Sequence, residues 1–272
     1  MAPPEKPGSG AAVFFEGVGR STARGFEQFG YGATLFGQVV YWVFMGRVRH
    51  QRVRAAPVFA EAMEAGIRAI PIIAVLSGTI GIMLALQGIH ALKVFGAQDQ
   101  VVFGVALGIT REFAPLITGI LVAGRSGSAL AARLATMTIS QEIDALRSMG
   151  INPVRFLVAP SLLAMVVMVP CLALMADFAG LLGAGLYIAP EIDITMSAYV
   201  DQTIDSITTD DVFHGLAKSA IFGVLITIVG IVDGSSVTGG AEGVGRVTTN
   251  SVVHGISAIV LTDMIFVFAA TR

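Results

Sequence analysis

Five ionisable side chains, Arg111, Glu112, Asp177, Lys218 and Asp263, stand inside long apolar stretches of this 272-residue chain. On insertion scales a charge costs roughly 2.5–3.5 kcal/mol at the centre of a hydrocarbon layer, so such residues usually face a bundle interior or a wet cavity. Spacing alone leaves two readings open. The charges line a cavity that receives the polar part of a ligand, or they pair and staple helices together. Other chemistry finds no footing. The run Gly239 to Gly245 is glycine-rich, but no GK[ST] follows, so it is not a P-loop. It reads as a tight turn before the last helix. His50, His90, His214 and His254 are scattered without ligand-like pairing, which predicts no metal site. Cys171 is alone, which excludes an internal disulfide. No serine sits in a nucleophile elbow and no Cys–His pair is evident, so neither an enzyme nor a cofactor is expected.

The elements that hold these charges are membrane helices. Hydrophobic residues make up 54% of the chain, Asp, Glu, Lys and Arg only 13%, and mean hydropathy is +0.78. Soluble domains carry roughly a quarter charged residues. Thirty-two glycines suit helices that approach closely in a membrane. A net charge of −2 suggests no nucleic-acid partner. The length favours a single domain over 1–272, and no signal peptide is visible in the polar tail 1–30. Tyr31 to Gly46 is apolar and aromatic, but as a helix it covers only about 24 Å of the roughly 30 Å hydrocarbon core. With the basic run to Arg54 it reads as an interfacial helix over 31–54, a short tilted crossing being the alternative. Five spans follow within 69–270: Ala69–Leu92, Val101–Ala123, Phe156–Ala189, Val212–Val232 and Ser251–Ala270. The third is long and contains Pro160 and Pro170, so it is one kinked helix or two crossings. The predicted fold is an all-α integral membrane protein: an interfacial helix plus five transmembrane helices.

Loop charges set the orientation. Residues 1–68 hold eight Lys or Arg and the loop 124–155 holds Arg125, Arg133, Arg147 and Arg155. The connection 190–211 has six acids and no base. The positive-inside rule puts the basic segments and the N-terminus in the cytoplasm, and the acidic loop and the C-terminus outside. Between the second and third spans, 138–150 reads as a short helix. Thr138 and Gln141 have capping-box spacing, and Gly150 suits the position after a C-cap. Ile139, Ile143, Leu146 and Met149 recur on one side, with Glu142, Asp144 and Arg147 elsewhere. It couples to a cytosolic partner or rests its apolar face in lipid.

The stretch Gly108–Ala164 (GITREFAPLITGILVAGRSGSALAARLATMTISQEIDALRSMGINPVRFLVAPSLLA) resembles the MlaE/YrbE permease family. HGLAKSAIFG at 214–223 and GGAEGVGRVTTNSVV at 239–253 add to the likeness, which covers about residues 30–270. The resemblance implies a homodimeric permease of an ABC transporter that moves phospholipids or other lipids between inner and outer bacterial membranes. It implies as partners a cytosolic ATPase, a periplasmic MCE-domain protein and often a STAS-domain protein. The family's fold has an interfacial helix, five spans and a cytoplasmic coupling helix after the second. Carried onto this sequence, Glu142, Ile143, Asp144, Leu146 and Arg147 become the ATPase-coupling residues. The sequence departs from the family pattern at Arg133, where an acid is expected, at Gln141–Glu142, which stand in reversed order, and at Ser161, in place of an arginine.

With this topology Lys218 lies about 9 Å and Asp263 about 10 Å below the outer surface, with Glu112 near 16 Å. The likeness favours a lipid cavity between two subunits, near the outer leaflet, over mere pairing. Ala74, Gly78, Gly81, Ala85 and Gly88 form a small-residue ridge on the first span. Leu84, Leu86 and Gln87 lie toward its outer end, where acyl chains enter, though plain packing explains them equally well. Glu112, Lys218, Asp263, Leu84 and Gln87 are thus the candidate substrate-binding residues. Competing functions are an ion-driven secondary transporter, which needs internal repeats that five spans do not provide, and a non-transporting scaffold. Single-cysteine labelling in a Cys171→Ala background should find position 147 reachable only from the cytoplasm and position 201 only from outside. Labelling of both from one side would end the five-span topology.

Overall fold

Polar loop residues decide how far each apolar segment extends as helix. The structure is a computed structural model that describes residues 25–27, 30–45 and 53–270. The tail through residue 24 and the basic run 46–52, with His50, lie outside the described residues. Five helices are long and apolar enough to cross a membrane: Ala55–Lys93, Gln98–Ile139, Val154–Glu191, Thr209–Ser235 and Ala241–Ala269, the first to fifth spans. Among the described residues there is no strand, so the chain is all-α with five spans, as the hydropathy requires.

Each span outruns its apolar centre. The second continues past Ala123 to Ile139, because alanine- and leucine-rich residues beyond it favour helix and no proline stops them. The expected loop at 124–155 is therefore largely helical. The fifth begins at Ala241 rather than Ser251, so the glycine-rich run is half turn, with Gly239 at φ 85°, and half first helical turn. The first begins at Ala55, breaks at Gly66 and resumes over Ile70–Lys93 with Pro71 in its opening turn. The third is one 38-residue helix that contains Pro170 and Pro190, which removes the two-crossing alternative.

The insert after the second span differs at its start. Its helix runs Glu142–Ser148. The Thr138 hydroxyl donates to the Leu134 carbonyl at 2.8 Å and Gln141 is left-handed at φ 59°. The expected capping box does not form, and Ile139 belongs to the second span. Its end is as the sequence indicates. Gly150, at φ 75°, donates to the Arg147 carbonyl and Ile151 to the Leu146 carbonyl, the paired bonds of a glycine-terminated helix. The acidic connection, read from sequence as a loop, contains the helix Met196–Ser206, capped where Thr195 accepts from the Ala198 N–H. Tyr199 anchors it, donating to the Leu181 carbonyl at 2.8 Å. Burial pushes its phenol up, so it stays a donor.

The first and third spans meet at glycines. A Cβ on Gly81 would lie 2.0 Å from the Gly180 carbonyl oxygen, and one on Gly183 2.2 Å from that of Gly78. Such close backbone approach gives membrane helices their dispersion contacts. The helix over 30–45 buries Leu35 and Val39 with Leu134, Val158 and Ile231 at the basic end of the bundle. The Arg155 guanidinium lies 5.3 Å over the Trp42 ring. Gly81→Ala should push the first and third spans apart and cost about 1–3 kcal/mol, the usual range for overpacking. Gly104→Ala, whose Cβ would meet nothing within 4 Å, is the control. Thermal unfolding in detergent should separate the two; equal melting would mean that the crossing tolerates separation.

Candidate functional site

Three π-helical turns interrupt the spans, at Ile109–Phe113 and Ala123–Gly127 in the second and at Val154–Val158 opening the third. Such turns hold one residue more than an α-turn and recur at functional sites. The first carries Arg111 and Glu112. Pro115, just beyond, has no N–H to give the preceding turn, so an unbroken α ladder cannot pass through.

From this turn two adjacent residues grip the fourth span two turns apart. Arg111 pairs with Asp211. Glu112 accepts from the Lys218 ammonium at 2.7 Å. On the other side Asp263 of the fifth span lies 2.8 Å from Lys218 Nζ. Lys218 has no exposed surface, while 35% of the Glu112 side chain remains exposed. Asp211 also accepts from the Thr208 N–H and hydroxyl, fixing the start of the fourth span. Gly215, between the two grips, is required by the approach: a Cβ there would sit 2.6 Å from the Thr110 carbonyl oxygen. One turn toward the acidic end, the His214 and Phe266 rings meet edge to face.

Electrostatically the cluster is one cation between two anions. Neither carboxylate alone can shield an ammonium wholly withdrawn from water, and a buried charge without a partner is strongly unfavourable. Both carboxylates reach the same ammonium, and of the three side chains Glu112 is the most exposed.

The remaining sequence candidates lie elsewhere. Asp177 is half-buried on the third span, with one carboxylate oxygen buried and unpartnered among the described residues. Leu84 packs against the main core. Gln87 is exposed and forms no hydrogen bond with the cluster. On the short helix Ile143 packs inward and Leu146 is half-buried, while Glu142, Asp144 and Arg147 are exposed. Arg147 donates to Asp144 at 3.1 Å, and the Ser140 hydroxyl meets Glu142 at 2.8 Å.

Sequence reasoning missed several partners. From sequence Asp211 reads only as an acid of the outer connection, although Thr208 and Asp211 have capping-box spacing, and the box forms. His254 of the fifth span contacts the buried Asp233 of the fourth at 3.0 Å. Arg133 pairs with Glu61 and donates to the Ser161 hydroxyl at 3.3 Å. The two positions read from sequence as departures from the family pattern, Arg133 and Ser161, thus touch each other.

Five spans with a charged cluster buried between them define a polytopic membrane protein. The family described as Permease MlaE matches residues 58–269, and the chain belongs to that family. A probable ABC transporter permease of Rickettsia prowazekii is 33% identical over 214 residues, 77% of this chain and 83% of the relative. The intermembrane phospholipid transport system permease protein MlaE of Haemophilus influenzae is 29% identical over 77% of this chain and 81% of its own length. The chloroplastic protein TRIGALACTOSYLDIACYLGLYCEROL 1 of Arabidopsis thaliana is 29% identical over 84% of this chain and 64% of that protein. The chain is accordingly the permease subunit of an ABC transporter.

Lys218→Met should leave two carboxylates facing each other and cost roughly 3–5 kcal/mol. Adding Glu112→Gln and Asp263→Asn should restore most of that loss. Thermal melting of the single and triple variants checks this; a triple variant less stable than Lys218→Met alone would mean that the three do not act as one electrostatic unit.

Proposed function

We propose that the chain moves phospholipid between bacterial inner and outer membranes as one half of a homodimeric permease, driven by a separate cytosolic ATPase. The observation that carries this reading is the Lys218 ammonium held between Glu112 and Asp263, with Glu112 open on one side. The exposed part of Glu112 gives the cluster a face that the cationic part of a zwitterionic head group can reach, whereas stapling alone needs no opening. The family relationship supplies the substrate class, since the Haemophilus relative is named for intermembrane phospholipid transport. Leu84 and Gln87 sit on the first span where acyl chains would pass.

The basic end faces the cytoplasm on this reading, because lysine and arginine favour that side. The N-terminus is then inside and the C-terminus periplasmic, in a bacterial inner membrane. The helix over 30–45 lies in the interface. It is short, and Tyr31, Phe36, Tyr41 and Phe44 remain exposed on it despite being aromatic. A periplasmic MCE-domain protein and a STAS-domain protein complete the proposed assembly.

The Glu142–Ser148 helix is the coupling element. Ile143 anchors it to the bundle, and Glu142, Asp144 and Arg147 present charge outward to the ATPase, with Leu146 at the edge. Co-expression with the cognate ATPase and reconstitution in phospholipid discs should give lipid-stimulated ATP hydrolysis. Asp144→Lys or Leu146→Asp should reduce it about tenfold, the equivalent of one lost charge-assisted contact, with membrane insertion unchanged. Full stimulation in both variants would reduce the helix to an interfacial one, and no stimulation in the unmodified protein would refute the transporter reading.

A further inference from the structure

At the basic end, far from the charged cluster, a cavity of about 770 Å³ opens between the helix over 30–45, the short helix Glu142–Ser148 and the ends of the second, third and fourth spans. We infer that it binds one amine-bearing phospholipid of the leaflet at that end, head group against the short helix and acyl chains against the spans. The volume falls within the roughly 300–1,000 Å³ of small-ligand sites, enough for a head group, the glycerol and the first part of the chains.

The lining is divided as an amphiphile is. Leu35, Leu134, Val158 and Ile231 form an apolar wall that belongs to the core of this end. Thr138, Ser235, Asp144 and Arg147 supply polar surface. The hydroxyls are already committed: Thr138 donates to the Leu134 carbonyl, Ser235 to that of Val232 and the neighbouring Ser236 to that of Asp233. A hydroxyl has one proton to give, so these three present lone pairs, while Tyr31, Gln38 and Asn152 of the same lining carry donors that can meet a phosphate. Among the described residues the charged lining side chains are Glu27, Asp144 and Arg147. Arg147 offers the forked geometry that suits phosphate. Glu27, Asp144 and the hydroxyl lone pairs suit an ammonium with N–H to give. Ethanolamine phosphate has both charges in that order; a choline head group has the charges but no N–H, and a glycerol head group has donors but no cation.

Asp144 and Arg147 are also the residues read above as facing the ATPase, so the chain is tested without the ATPase, where lipid binding and coupling are distinguishable. The test uses the purified full chain in mild detergent with a phosphatidylethanolamine that carries a photoreactive diazirine on one acyl chain, labelled peptides being mapped by mass spectrometry. Saturable labelling around Leu157 and Ile231 is expected. Unlabelled phosphatidylethanolamine should compete about tenfold better than phosphatidylcholine, the factor expected for lost charge-assisted hydrogen bonds. Arg147→Gln and Asp144→Asn, both at exposed positions and tolerable to the fold, should each lower labelling there. Ile231→Trp should abolish it while labelling at the exposed Val260 and Leu261 of the fifth span persists. Equal competition by the two lipids, with no effect of Arg147→Gln, would mark ordinary boundary lipid and overturn the assignment. So would a rise in labelling on deletion of residues 1–24, which would identify that segment as the occupant.

Discussion

An ammonium ion cannot remain alone in a bundle surrounded by hydrocarbon, and Lys218 has no exposed surface at all. Most of the arrangement of the second, fourth and fifth spans follows from that. Two other helices must each bring a carboxylate to the same point, which fixes their rotation as well as their distance. Glu112 does so from a widened turn, and Gly215 lets the second span come close enough for it to reach. Arg111 makes a second attachment at Asp211, so the fourth span cannot swing about the first contact. The first and third spans are joined differently, by shape alone, at a crossing where glycine backbones touch.

These two modes of attachment divide the molecule. Charge holds the second, fourth and fifth spans to one another near the acidic end, and polar contacts recur near the basic end, where Arg133 pairs with Glu61 and Asp233 meets the His254 ring. The second span is common to both levels and leads directly to the Glu142–Ser148 helix. The short helix is therefore joined to the span that carries Glu112 by only two residues, Ser140 and Gln141.

Much of this was legible in the sequence, for identifiable reasons. Apolar runs between glycine, proline and charged segments gave the number of spans, because hydrocarbon admits little else. The matching depths of Lys218 and Asp263 on successive helices anticipated a pair that the structure brings to 2.8 Å. Glu112 reads about 6 Å deeper than both when depth is counted from Val212, but the fourth span starts at Thr209, one turn earlier, which lowers Lys218 to about 13 Å. Helix ends were misjudged wherever polar residues of good helical propensity followed an apolar run, as after Ala123, since hydropathy records the solvent and not the backbone. The start of the short helix was misplaced because Thr138 prefers a backbone carbonyl one turn back to a cap. Asp211 was overlooked as a partner because a carboxylate at the head of a helix resembles an ordinary loop acid until its neighbour is known.

A π-turn is a surplus residue in an otherwise periodic rod, and in that respect it is a dislocation. On either side the helix keeps its own phase, and the defect between them absorbs a twist that a continuous α-helix would transmit or resist as a whole. The second span contains two such defects, at Ile109–Phe113 and Ala123–Gly127, with the straight segment Ala114–Val122 between them. It is thus three short rods in succession, Val101–Gly108, Ala114–Val122 and Ser128–Ile139, joined at two π-helical seams. The outer seam carries Arg111 and Glu112, so a few degrees of rotation there changes which way two charges point while the rods on either side remain seated against their neighbours.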